Sequence, residues 1–368
     1  MSVLFTSGNI GKMEVKNRFV RSATWEGMAT DEGAPTPKLI KTMADLAEGQ
    51  VGLIITSHAY VNPEGQAGPW QLGIYDDAMV PGLKEMTEAA HEQGAKIAAQ
   101  IAHAGAFGFR QLSPGPVRVV SDFEGVSKGP VSELTAEDIG SLAADFGKAA
   151  ARAREAGFDA VQIHSAHGYL LSQFLSPYFN RRKDNYGGPI ENRVKAHLQV
   201  YKAVRDAVGE DYPVFVKMNC SDFAEGGLEP GDSLKAARML VDAGLDAVEL
   251  SGGLLTSKKL SPSRKGINSP DKEAYFAEHA AVFKKTLGVP LILVGGIRSF
   301  ERAEGVVKEG VADFISMSRP FIREPGLVKR WKQGDRTPAR CVSDTLCMKP
   351  AMEGKGIYCL TEKKGGRP

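Results

Sequence analysis

His164 and His167 lie three residues apart, directly before Gly168 and Tyr169, in the run Ile163-His-Ser-Ala-His-Gly-Tyr169. Two imidazoles at that spacing in a turn leaving a strand can point the same way. Together they can donate hydrogen bonds to one anionic oxygen, or bind a metal. Tyr169 follows closely enough to deliver a proton. A lone histidine is more often a satisfied loop hydrogen-bonder, but three such side chains in one turn read as a site. Gln100 offers a donor and an acceptor, which suits a heterocycle edge carrying both, although a buried amide bonded to backbone is the simpler alternative. Lys217 ends the apolar run Val214-Phe-Val-Lys217 and must find an anion or reach water. That anion is either charge on a bound ligand or a loop carboxylate. Val294-Gly295-Gly296-Ile297 and Ser316-Met-Ser318-Arg319-Pro320 combine backbone N–H groups that can approach closely with an arginine. Such a pair indicates a phosphate-bearing ligand without naming it.

These residues need a scaffold that brings them to one place. Short β-rich runs alternate with helical segments. The strand candidates are Arg18–Ser22, Val51–Thr56, Ala95–Ile101, Asp159–Ile163, Val214–Lys217, Ala247–Leu250, Leu291–Val294 and Phe314–Ser316. Several are apolar on both faces, as strands between a core and a helix layer are. A helix is expected to open at the capping-box-like Thr135-Ala-Glu-Asp138 and to stop at Gly157, with another over Ser233–Ala243. Strand–helix alternation implies a parallel sheet with right-handed crossovers. Eight units suit a closed (β/α)8 barrel, and the Ala-Thr-Trp-Glu-Gly after Ser22 is not the glycine fingerprint of an open doubly wound sheet. In a barrel the site lies at the carboxyl ends of the strands, where all the residues above fall. The segments 104–130 and 252–274 read as long loops on that face.

Composition sets the outer limits. A chain of 368 residues with 42% hydrophobic and 24% charged residues is ordinary globular protein. A net charge of +2 argues for neither nucleic acid nor an anionic membrane as partner. No apolar run is long enough to cross a bilayer, and the start Met1-Ser-Val-Leu-Phe-Thr-Ser-Gly does not read as a signal peptide. Four cysteines in this length make no disulfide framework. A cytoplasmic location is the expectation. The division expected is a barrel over 1–335 and a polar tail over 336–368 that forms no separate domain.

Taken together, these stretches resemble the Old Yellow Enzyme family of flavin-dependent ene-reductases. The resemblance covers roughly residues 3–335. It rests on Lys16-Asn17-Arg18-Phe19, Gln100-Ile-Ala-His103-Ala-Gly105, His164-Ser-Ala-His167-Gly168-Tyr169, Phe174-Leu-Ser-Pro177, Tyr186-Gly-Gly-Pro-Ile-Glu-Asn-Arg193 and Val294-Gly-Gly-Ile297. It implies noncovalent FMN across the barrel mouth, reduced by NAD(P)H, with hydride passed on to the alkene of a small unsaturated carbonyl compound. By match, Ser22, Ala23 and Thr24 would line the flavin, Gln100 would meet its pyrimidine edge, and Lys217 would approach N1. Gly295, Gly296, Ser318 and Arg319 would hold the phosphate, with Gly253 and His58 also among the cofactor contacts. His164 and His167 would bind the substrate carbonyl oxygen and Tyr169 would supply the proton. No resident metal is implied. A homo-oligomer is compatible with the resemblance.

Three positions depart from the family pattern. Lys217 stands where arginine is usual and lacks the planar fork. Trp25 replaces a smaller polar residue, so its indole either narrows the pocket or turns away. His58 is unusual at the end of its strand, and either touches the flavin or caps the strand. Longer relatives of the dienoyl-CoA reductase type continue into an iron–sulfur motif and a second nucleotide-binding domain. Here Cys341, Asp344, Cys347 and Cys359 resemble that motif with Asp344 in place of a cysteine, and a cluster-free tail is expected, since clusters favour four thiolates. Alternative readings are reduction of an enoate, dienoyl, quinone or oxygen acceptor, an electron-transfer module, and a flavin-free phosphate-binding barrel. An intact Tyr169 disfavours the module, and a single strand-end lysine is thin support for the last.

Overall fold

The computed structural model describes residues 2–112 and 115–365; Met1, 113–114 and 366–368, which the expectations for the start, the first long loop and the tail partly include, lie outside the described residues. Eight parallel strands close into a barrel in sequence order around the ring. They are β1 (Phe19–Arg21), β2 (Leu53–Tyr60), β3 (Lys96–Ala102), β4 (Ala160–Ser165), β5 (Val214–Asn219), β6 (Ala247–Ser251), β7 (Leu291–Val294) and β8 (Phe314–Met317). The principal crossover helices are α1 (Pro37–Glu48), α2 (Val80–His91), α3 (Ala136–Glu155), α4 (Lys195–Val208), α5 (Pro230–Asp242), α6 (Ala277–Leu287) and α7 (Phe300–Lys308), with α8 (Leu327–Lys332) after β8. The architecture is the (β/α)8 barrel expected from the alternation. No helix among the described residues is long and apolar enough to cross a membrane.

Most expected strands agree with the observed ones to within two residues at either end. The exception is β2, which runs on to Tyr60 through a register shift between Ile55 and His58. The polar Thr-Ser-His interrupts the apolar run, so the sequence pattern ends too early. The bulge carries His58 to the level of Gln100, its register partner on β3. Helix α3 begins as expected: Thr135 caps it, and the Asp138 side chain returns the bond in a capping box. Its buried stripe includes Ile139, Leu142, Phe146, Ala150 and Ala153, the i, i+3/i+4 spacing that faces a core. The first long loop is less irregular than expected: Val117–Val119 pairs in parallel with Val131–Glu133.

What positions the site is the two-residue period of the strands. One buried cluster draws Val20, Leu53, Ala98, Ala160, Phe215, Ala247, Ile292 and Phe314 from the eight strands, so these side chains point to the barrel axis. A hairpin of Gly8–Ile10 and Met13–Val15 adds Ile10, Met13 and Val15 to the same cluster and plugs the amino end of the barrel. The residues two further along then point inward one layer higher. Six of these eight are polar, Ser22, Gln100, Gln162, Lys217, Glu249 and Ser316, while Ile55 and Val294 stay apolar. An apolar floor under a largely polar mouth therefore follows from alternation in six of the eight strands.

Phe215 is fully buried at the centre of that floor. Phe215→Ala is expected to lower stability by about 3–5 kcal/mol. The denaturant midpoint measures it; a loss below about 1 kcal/mol would place the ring outside a packed interior.

Candidate active site

The polar layer closes on Glu249, which has no solvent exposure. Ser22 Oγ donates to Glu249 Oε1 at 2.7 Å and Ser316 Oγ donates to the same oxygen at 2.8 Å. Gln162 Nε2 donates to Glu249 Oε2 at 2.7 Å, and Gln100 Nε2 donates to Gln162 Oε1 at 2.6 Å. Lys217 Nζ donates to Ser22 Oγ at 2.7 Å and lies 3.4 Å from Glu249 Oε1. Lys217 and Glu249 are register partners on β5 and β6, so their pairing is built into the sheet. The carboxylate partner of Lys217 is therefore on a strand and not on a loop. An ammonium has three donors, and the two bonds leave one for a ligand.

One layer up, β4 delivers His164, the register partner of Lys217. The chain then turns through His167, whose φ of 65° lies in the left-handed region that non-glycine residues rarely occupy. Asn219 Oδ1 accepts from the His167 backbone N–H at 3.1 Å, and His167 Nε2 bonds Ser251 Oγ at 2.8 Å. The strained turn is thus held by β5 and β6. It brings the His164 ring centroid 5.5 Å from that of His167 and 4.9 Å from that of Tyr169. His58 reaches across from β2, with Nε2 at 3.1 Å from Tyr169 Oη. So His58 grips the tyrosine hydroxyl, a role the sequence did not suggest.

Burial disfavours the charged form of these groups. Burial first, then His167, His58 and Lys217, holds His164 well below the ordinary imidazole range. Burial, Lys217 and His58 do the same to His167. His58 is lowered to about 4 by burial and by Lys217. Burial pushes the Tyr169 hydroxyl up to about 12. At neutral pH the mouth thus presents three neutral imidazoles and a protonated phenol beside Lys217.

Above them lies a cleft of about 310 Å³ whose wall includes Ala23, Gln100, His164, His167, Lys217 and Arg319. Thr24 and Ser318 also line it, their hydroxyl oxygens 2.7 Å apart. Two buried atoms of its wall have no hydrogen-bond partner, His164 Nδ1 and Arg319 Nη1. Buried polar atoms are rarely left unpaired. Beside Arg319 the chain passes through Gly295 and Gly296, with φ of 145° and 72°. A Cβ on Gly296 would come within 2.6 Å of the Tyr275 ring. Tyr275 thus leaves no room for a side chain at Gly296, which lines a small hollow shared with Ser318 and Arg319; neither glycine is among the residues lining the cleft itself. An anionic group at Arg319, such as the phosphate of FMN, fits this wall, and the orphan His164 Nδ1 is left for an acceptor atom of a second ligand. Ser22 lies beneath the cleft, and Gly253 gives its carbonyl to Asn219 Nδ2 at 3.2 Å; neither is among the cleft-lining residues.

Four residues of this machinery escaped the sequence reading, Gln162, Asn219, Glu249 and Ser251, and Ser316 entered it only as the start of the phosphate motif. Their signal was present, since each is a polar residue an even number of positions after an inward apolar one in a buried strand. In the tail, among the described residues, no three His, Cys, Asp or Glu side chains stand close enough to hold a metal ion. Asp344 instead accepts the Thr361 hydroxyl and the Leu346 backbone N–H.

The profile of the NADH:flavin oxidoreductase / NADH oxidase family matches residues 3–337. An NADH oxidase of Thermoanaerobacter brockii is 37% identical over 353 residues, covering 92% of this chain and 52% of that protein. The chain thus spans about half the length of that relative. An NADPH dehydrogenase of Listeria innocua is 35% identical over 332 residues, covering 89% of this chain and 94% of that protein. The solved structure of an Old Yellow Enzyme homologue from Zymomonas mobilis superposes with a TM-score of 0.79 at 27% identity, covering 99% of both chains. With the barrel, the histidine turn and a match over almost the whole chain in agreement, the protein belongs to the NADH:flavin oxidoreductase / NADH oxidase family and is of the Old Yellow Enzyme type.

Proposed function

We propose that this protein is an FMN-dependent reductase that uses NAD(P)H to saturate the activated C=C bond of an α,β-unsaturated carbonyl compound. The observation that carries the reading is one turn holding two neutral imidazoles and a protonated tyrosine at ring separations of 5.5 and 4.9 Å. Gln100 and Lys217 would hold the isoalloxazine edge, with Ser22, Ala23, Thr24, His58 and Gly253 around it. Gly295, Gly296, Ser318 and Arg319 would hold the phosphate. When bound, FMN would supply the hydride that NAD(P)H provides and the β carbon of the alkene receives.

The protein's own part is electrostatic and positional. Negative charge grows on the carbonyl oxygen as the β carbon takes hydride. His164 and His167 are placed to donate to that oxygen, and two fixed donors in a buried site need no reorganisation. Tyr169 is then the proton source for the α carbon. With its hydroxyl raised to about 12 it gives up a proton only to a strongly basic centre, and an enolate carbon is one. His58, 3.1 Å from Tyr169 Oη, orients the hydroxyl and can steady the phenolate left behind.

Tyr169→Phe is expected to cut alkene reduction by about 10²–10⁴-fold. Stopped-flow bleaching of the flavin band by NAD(P)H should fall far less; equal losses in the two half-reactions would remove the proton-donor role. Replacing His164 and His167 together with Ala should abolish the absorbance change that phenolate binding produces in the oxidised flavin. Because both imidazoles are held below their ordinary range, they protonate only well under pH 6.5. Phenolate affinity, expressed per phenolate, should therefore stay flat from about pH 8 to 6. A rise on acidification through that window would mean that the pair charges there. Acid precipitation of the flavin-loaded protein should release FMN intact into the supernatant, whereas flavin retained in the pellet would indicate covalent attachment.

A further inference from the structure

Beside the catalytic cleft lies a second chamber of about 460 Å³, and its lining is mostly apolar. Trp25, His58, Tyr169, Leu255 and Met348 belong to the walls of both, so the two spaces meet at the proton donor. The outer wall adds Phe109 and Met352. Trp25 therefore does not turn away from the pocket; its indole stands at the junction and narrows it.

The tail builds one side of this chamber. Its helix α9 (Met348–Met352) is docked against the loop after β1. A Cβ on Gly27 would meet Ala351 at 3.1 Å, so the two backbones pack closely there. Ile357 N–H donates to the Glu26 carbonyl at 2.8 Å and Lys38 Nζ donates to the Lys355 carbonyl at 2.5 Å. Before the helix, Ser343 and Thr345 both hold positive φ, 56° and 64°, which is costly for a β-branched residue and marks a backbone held by its surroundings. At the rim, Leu255 and Met352 are 52% and 69% exposed, large apolar side chains with nothing apolar to cover them. An opening lined this way favours an apolar occupant.

We propose that this chamber is a substrate subsite for a second apolar ring, fused or linked to the reacting enone, with the tail methionines Met348 and Met352 as its adjustable wall. The proposal rests on the ene-reductase reading above. The size supports it: a cavity of about 150 Å³ holds one benzene, and this space is about three times larger. Methionine wraps varied ring shapes through its three rotatable bonds and makes favourable sulfur–aromatic contacts. A small enone would occupy the catalytic cleft alone and leave the chamber wet, so the subsite selects for substrates with a ring beyond the carbonyl-bearing one.

The test titrates phenol and 4-phenylphenol against the flavin-loaded full-length protein, reading the flavin absorbance change. The extra ring is expected to tighten binding by about tenfold or more, corresponding to about 1.4 kcal/mol. Met352→Glu puts a charge at an exposed rim position, where the fold is not at risk, and should shrink the ratio of the two affinities about fivefold or more. Met352→Leu should restore the ratio, and Met348→Ala should lower it. Equal affinity for the two phenols, or a ratio that neither Met352→Glu nor Met348→Ala moves, overturns the subsite while leaving the ene-reductase reading in place. No absorbance response to either phenol overturns the oxyanion site, and the subsite with it.

Discussion

A carboxylate that water cannot reach governs the mouth of this barrel. Glu249 is fully buried, and its two oxygens accept from Ser22, Ser316 and Gln162 with Lys217 alongside. Burying an ion costs several kcal/mol unless its lone pairs are met. Here the partners come from β1, β4, β5 and β8, so one charge ties half the barrel's strands at a common height. Removing a partner would leave an unsatisfied acceptor in the interior, the costly direction of the hydrogen-bond asymmetry. The network also extends through Gln162 to Gln100, fixing an amide in the cleft wall. Rigidity of the cleft is thus a by-product of satisfying Glu249.

The same burial sets the chemistry one layer higher. Lys217 is the ammonium of the mouth, and it discourages any second positive charge nearby. His58, His164 and His167 are all kept neutral by burial, with Lys217 contributing to each. Neutral donors suit the proposed reaction, in which charge appears only transiently on oxygen, because they would not hold an enolate intermediate as tightly as an imidazolium would. In a partly dry cleft their dipoles act at low effective dielectric, so modest partial charges carry weight. Tyr169 is the counterpart: an acid made weak by its surroundings and held in place by His58.

The tail is held by local hydrogen bonds and by its packing on the barrel rim. Asp344 stands where the resemblance expects a thiolate, and it serves as a local acceptor for Leu346 and Thr361. Burial and the neighbouring Cys341 push the Cys347 thiol up to about 11, so it stays protonated at neutral pH. The segment is still pinned to the barrel rim by backbone contacts at Glu26 and Gly27, and the side chains it brings there are apolar.

The sequence by itself determined the barrel, since eight β-rich runs separated by amphipathic helices leave few other ways to bury both faces of a parallel sheet. It also placed His164, His167 and Tyr169 within six residues of each other, the turn on which the proposed chemistry rests. It singled out Gln100, Lys217 and Arg319 by their place at strand ends, while Gln162 and Glu249 were hidden inside apolar runs although the alternation that turns them inward was legible. Only the tertiary structure decided who meets whom. His58 finds Tyr169 because a bulge in β2 shifts its height, and Met348 reaches Trp25 because the tail folds back across more than three hundred residues of chain. Such contacts depend on strand register and on where a loop docks, and neither is encoded by the spacing of residues along the chain.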